Sequence, residues 1–195
     1  MAGDERHPIR RRDLWRAALR GVLRTHAAGR GAPEPPEAPA PEQRTVLRPP
    51  GAHGEIHFES HCAPGCRICV DACPRFAIIP SLDGGQPGGG DGRPYLLPDR
   101  AACDLCGLCM WACPTDALCP TPPAEVRIGL AVLDAPGCVR THGQPCNICL
   151  ERCPFPGVAI RDEAGLPQIV DAHCTGCGLC AEACPPHAID VVARR

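Results

Sequence analysis

The chain contains no lysine; all 20 of its basic side chains are arginines. A Walker-type phosphate loop needs a lysine, so the glycine-rich stretch from Gly84 to Gly92 reads as a loose surface loop, not a nucleotide site. Aromatics are almost as scarce, at 3% of residues. That excludes a core packed on large rings, so something besides apolar burial has to order the chain. No apolar run approaches the roughly 18 residues of a membrane span. No dinucleotide-binding glycine fingerprint, flavin signature or nucleophile–base constellation is present. No Cys-x2-Cys is followed by histidine, which excludes covalent haem. The chain is therefore not expected to be an enzyme in its own right.

What it has instead is cysteine, 17 in 195 residues, together with 25 prolines and 21 glycines that favour turns and short elements. The net charge of −2 hides an asymmetry. Residues 1–48 carry ten arginines against six acids, and the remainder ten arginines against sixteen acids. An acidic body repels phosphates, which argues against nucleic-acid binding.

The basic start, residues 1–30, reads as a tail. Within it residues 13–24 pattern as a basic amphipathic helix, with Leu14, Trp15, Ala18, Leu19, Val22 and Leu23 on one side. It suits docking on a partner, peripheral contact with a membrane surface, or packing on the body. Arg11-Arg12 resembles a twin-arginine export signal. Arg16, Arg20 and Arg24 interrupt the apolar segment such a signal needs, so a cytoplasmic location is expected, with the periplasm as the alternative. Residues 31–53, rich in proline, read as an extended linker.

The body is a repeat. Cys103-x2-Cys106-x2-Cys109-x3-Cys113-Pro114 recurs as Cys174-x2-Cys177-x2-Cys180-x3-Cys184-Pro185, at one offset of 71 residues. Each regular motif follows an irregular one: Cys62-x3-Cys66-x2-Cys69-x3-Cys73-Pro74 and Cys138-x7-Cys146-x2-Cys149-x3-Cys153-Pro154. Residues 54–122 and 123–195 are thus two modules of the same design. Short apolar runs beside the motifs (Ile56–Phe58, Ala77–Ile79, Tyr95–Leu97, Ala117-Leu118, Ile128–Leu133, Val158–Ile160, Gln168–Val170 and Ala188-Ile189) read as short strands in hairpins. The expected fold class is α+β, two bacterial-type dicluster ferredoxin modules behind an N-terminal helix and a linker.

Three cysteines at x2 spacing wrap three thiolates around one [4Fe–4S] cluster. The fourth is carried off by a short helix that proline ends, and in two-cluster ferredoxins it ligates the other cluster. Zinc sites use two separated cysteine pairs and fit poorly. Cysteines this close in sequence rarely meet disulfide geometry. Four clusters are expected: Cys62, Cys66, Cys69 and Cys113; Cys103, Cys106, Cys109 and Cys73; Cys138, Cys146, Cys149 and Cys184; Cys174, Cys177, Cys180 and Cys153. A nested arrangement, first motif with fourth and second with third, uses the same sixteen residues and stays open. Cys119 is left over and reads as a small buried apolar residue. His61 and His173, each beside a first cysteine, read as surface or supporting residues.

With the arginine-rich start Arg10-Arg11-Arg12, the segment Leu47-Arg48-Pro49-Pro50-Gly51-Ala52 and the four motifs in order, the chain resembles the ferredoxin-type accessory proteins of periplasmic nitrate reductase and methylamine dehydrogenase systems, the NapF and NapG/MauM kind. The Cys138-x7-Cys146 gap and Ile128–Leu133 look like the exported NapG/MauM branch. The plain second motif and the interrupted apolar segment look like the cytoplasmic NapF branch. The resemblance implies electron transfer to or from a partner redox protein, such as a molybdoenzyme or a quinol-oxidising complex. The alternative is an accessory or maturation factor that binds an oxidoreductase such as a nitrate reductase.

Overall fold

Proline closes each motif and glycine or proline punctuates the stretches between, so no element grows long. The computed structural model describes residues 46–81 and 91–194. The helix expected over 13–24, linker residues 31–45 and most of the Gly84–Gly92 loop lie outside the described residues. Gln43–Arg195 forms one compact unit.

The first module contains helix α1 (Glu55–His61), helix α2 (Ile68–Asp71), strands β1 (Ile78–Ile79) and β2 (Tyr95–Leu96), and helix α3 (Leu108–Ala112). β1 and β2 are antiparallel, with Ile78 opposite Leu96. The second contains strand β3 (Leu130–Leu133), helix α4 (Ile148–Arg152), strands β4 (Ile160–Glu163) and β5 (Leu166–Ile169), helix α5 (Leu179–Glu182) and strand β6 (Ile189–Val192). β4 and β5 form a hairpin. Its turn, Ala164-Gly165, has φ of 50° and 82°, the positive pair that suits a two-residue connection between right-twisted strands. β3 pairs antiparallel with β6, Leu130 opposite Val192 and Leu133 opposite Ile189.

The structure corrects several expectations. Ile56–Phe58 is not a strand; it lies in α1. An apolar–polar–apolar triplet is too short to fix a period in sequence, but a strand would put Ile56 and Phe58 on one face and a helix puts them on different ones. Here Phe58 is 1% exposed and Ile56 87%. Gly54, at φ 78°, starts the helix with Glu55 in its first turn, where a negative charge suits the helix dipole.

The second correction concerns the end of the expected linker. Leu47, Arg48 and Pro49 are buried against the first module. The Leu47 carbonyl accepts the Leu96 N–H at 2.8 Å, placing it beside β2. Proline brings no N–H that would need a partner, so Pro49 is buried without a hydrogen-bond debt. Gly51, at φ +85°, passes so close to the Cys119 carbonyl that a Cβ would stand 2.5 Å from it; only glycine fits there. Ala117 and Leu118 are buried but form no ladder among the described residues.

Candidate metal centres

Each motif delivers its cysteines by the same local device. In the regular motifs a left-handed glycine, Gly107 at φ 78° or Gly178 at φ 87°, precedes the short helix that carries the third cysteine. In the irregular motifs Arg67 and Asn147 occupy that position in other conformations. The Cys-Pro junction then turns the chain away, so the fourth cysteine faces the neighbouring motif.

In the first module Cys69 lies in the field of Cys109, Cys62, Cys66 and Cys113, and Cys62 in that of Cys66 and Cys113. Those four come together around α2 and the end of α3. Cys109 faces Cys73 and Cys106, and Cys103 faces Cys109. In the second module one small apolar cavity is lined by Cys138, Cys146, Cys149 and Cys184, with Leu133 and Ile189. Another is lined by Cys153, Cys174, Cys177 and Cys180, with Phe155 and Ile169. In the second module the fourth cysteine of each motif thus lines a cavity with the first three of its neighbour.

The chemistry of these sets can be read from their surroundings. Burial pushes the Cys69, Cys103 and Cys180 thiols up to about 12 and Cys109 to about 11. Four converging sulfurs in an apolar enclosure are protonated when alone, because thiolates there would be desolvated and would repel one another. A soft cationic group relieves both problems and displaces the protons. The donor set therefore fits an iron–sulfur cluster with four thiolate ligands. Backbone N–H groups supply the supporting contacts: Leu105 to Cys103 Sγ at 3.4 Å, Ala131 to Cys174 Sγ at 3.5 Å and Ala188 to Cys184 Sγ at 3.3 Å. Such bonds stabilise negative sulfur and raise a cluster's reduction potential.

Cys119 joins none of these sets. It is half-buried, and its thiol meets the Asp116 carbonyl at 3.4 Å. His61 is exposed, stacked on His57 with ring centroids 4.2 Å apart. His173 is exposed as well.

Sequence reasoning missed Arg48. It lies over the Phe58 ring at 4.9 Å, donates to the Pro94 carbonyl at 3.2 Å and pairs with Glu55 and Asp91. Its position inside Leu47-Arg48-Pro49-Pro50 was the available signal, since an arginine amid apolar residues and prolines reads as an anchor once burial is known.

Residues 97–121 and 167–190 match the family described as 4Fe-4S binding domain, one match over each regular motif. The methylamine utilization ferredoxin-type protein MauM of Paracoccus denitrificans is 33% identical over 85% of this chain and 74% of its own length. MauM of Methylobacillus flagellatus is 41% identical over 67% of this chain and 58% of its own length. The ferredoxin-type protein NapG of Escherichia coli is 36% identical over 55% of this chain and 48% of its own length. The chain thus spans little more than half the length of several of the curated relatives it matches.

Proposed function

This chain belongs to the ferredoxin-type proteins of the NapG and MauM kind, and on that premise we propose that it carries four [4Fe–4S] clusters and passes electrons between partner redox proteins. The observation that supports this reading most is the crossing of the motifs. In the second module Cys184 lines one cavity with Cys138, Cys146 and Cys149, and Cys153 lines another with Cys174, Cys177 and Cys180, which supports sets that combine three cysteines of one motif with one of its neighbour. A bound cluster supplies one-electron chemistry at a potential the protein sets. The chain's own contribution is to hold four thiolates, to exclude water with side chains such as Leu133, Phe155 and Ile169, and to aim backbone N–H groups at the sulfurs.

The partners are redox proteins of the kind the resemblance implies, in methylamine utilization or nitrate reduction, and the substrate chemistry lies with them. Membership of the NapG and MauM branch favours the periplasmic alternative over the cytoplasmic expectation; cell fractionation with a compartment marker decides between them.

Anaerobic purification tests the reading. A brown protein with iron and sulfide for four clusters per chain, bleached reversibly by dithionite, is expected. A colourless protein holding stoichiometric zinc would sink it.

A further inference from the structure

The two modules are copies, but unlike parts of them meet. From the first module come Arg75, Pro98, Ala102 and Cys103; from the second come Cys177, Gly178, Leu179 and Glu182. The Cys103 N–H donates to the Cys177 carbonyl at 2.8 Å. The Glu182 carboxylate accepts from Arg75 Nη2 at 3.1 and 3.0 Å, and its Oε1 also accepts the Ala102 N–H at 3.4 Å. At Gly178 a Cβ would stand 2.3 Å from the Cβ of Pro98, so the approach at this point requires glycine. Cys177 and Leu179 pack into the core of the first module.

The repeat shows that this contact is head-to-tail. The 71-residue offset puts Leu108 where the second module has Leu179, and Trp111 where it has Glu182. Leu108 and Trp111 are 49% and 76% exposed, so the same surface is covered in one module and open in the other. A heterologous contact of this kind sets copies in line, unlike a two-fold contact. The neighbours follow from it. Within each module the helices that carry the two third cysteines pack on each other, so its two sets are neighbours, and the bond from the Cys103 N–H to the Cys177 carbonyl brings the second set against the fourth.

We propose that this seam joins the four cysteine sets into one unbroken series, ordered first, second, fourth, third, with Glu182 as its positioning residue. The proposal rests on the reading that each set holds a cluster. The spatial order differs from the order along the chain. The two regular motifs stand inside. The irregular motifs, Cys62-x3-Cys66 and Cys138-x7-Cys146, stand at the two ends, where a donor and an acceptor have to reach. Their departure from regular spacing therefore falls where the chain meets its partners.

Electron paramagnetic resonance of the dithionite-reduced holoprotein tests the order through spin–spin interaction, which falls steeply with separation. A double variant, Cys66→Ala with Cys146→Ala, removes the outer sets and leaves the second and fourth. It should keep iron for two clusters and give broadened or split signals. The converse, Cys106→Ala with Cys180→Ala, leaves the first and third sets and should give narrow, non-interacting signals. Narrow signals from the first variant, with two reduced clusters per chain, overturn the proposal.

Amide hydrogen exchange on the intact chain keeps the test decisive if a double variant fails to fold. The Ala102 and Cys103 amides should exchange slowly in the native holoprotein. They should exchange at least tenfold faster in Glu182→Ala, with Glu182→Gln recovering part of the protection. Rapid exchange at both amides in the native protein overturns the seam. A native chain that binds zinc instead defeats the electron-transfer reading alone, because amide exchange still reports whether the seam exists.

Discussion

In the second module, strands from the two ends of the repeat close the structure: β3 lies against β6, four residues against four, beside the cavities of the third and fourth cysteine sets. At the corresponding place the first module has no such ladder among the described residues. It is closed by side chains. Phe58 enters from α1, Leu47 and Pro49 come from upstream of the motifs, and Arg48 ties Glu55, Asp91 and the Pro94 carbonyl together. The same cysteine scaffold can therefore be closed by backbone pairing or by a buried anchor. The scaffold needs an apolar cover that pairs most of the polar groups it buries.

Metal removal should have the largest effect and should abolish the difference. Cys62, Cys69, Cys103, Cys109 and Cys177 belong to the core of the first module, and Cys149, Cys174 and Cys180 to that of the second. Chelating the iron anaerobically should erase amide protection in β1–β2 and β3–β6 together, because binding and folding are one process in such sites. Protection that persists in β3–β6 alone would show that a ladder holds the second module without metal.

Shortening the chain comes next. Deletion through Pro50 removes Leu47, Arg48 and Pro49 and should loosen the first module while sparing protection in β3–β6. Deletion through Glu42 should cost clearly less. Equal losses from the two deletions would show that Leu47–Pro50 do not close the module. Phe58→Ala should destabilise the first module by about 3–5 kcal/mol, the usual cost of emptying a buried aromatic site, read as earlier loss of protection at Leu96 in a denaturant series. Arg48→Met keeps the apolar stem but removes the cation shared by Glu55 and Asp91, leaving Asp91 with Arg93 alone. A loss of about 1.5–3 kcal/mol is expected, the scale of hydrogen bonds to charged groups, again confined to the first module.

The smallest effect is in acid. Burial pushes the Asp91 carboxyl up, but the hydrogen bonds and charges of Arg48 and Arg93 outweigh it and hold the group below the ordinary carboxylate value. A lowered folded pKa gives stability that is present above about pH 3.9, the unfolded value, and is lost as pH falls through the folded one. Asp91→Asn should therefore flatten the acid limb of the first module's stability curve and leave the second module's unchanged. An unchanged acid limb would show that the Arg48 anchor does not depend on this carboxylate.

Much of the site was legible because the signal is local. Spacing named the sixteen cysteines, and the Cys-Pro junctions marked where each chain segment turns. Sequential and nested pairings used the same residues, so spacing alone could not separate them. The cavities lined by Cys184 and Cys153 with the neighbouring motif's cysteines favour the sequential pairing in the second module. The Ile56–Phe58 reading failed because three residues cannot distinguish a helical from a strand period. The end of the expected linker packs instead of standing free, because proline content signals extended backbone, which can be buried as well as solvated, and Leu47 to Pro49 are buried.

The sequence by itself determined the four cysteine motifs, their spacing and the repeat at one 71-residue offset, since each depends on residues a few positions apart or on one fixed offset. Only the tertiary structure decided how each module is closed and which motifs touch across the seam. Those outcomes depend on contacts between residues far apart in the chain, such as Arg75 with Glu182 and Cys103 with Cys177. No local periodicity encodes such contacts; they are set by which surfaces fit once the motifs have folded.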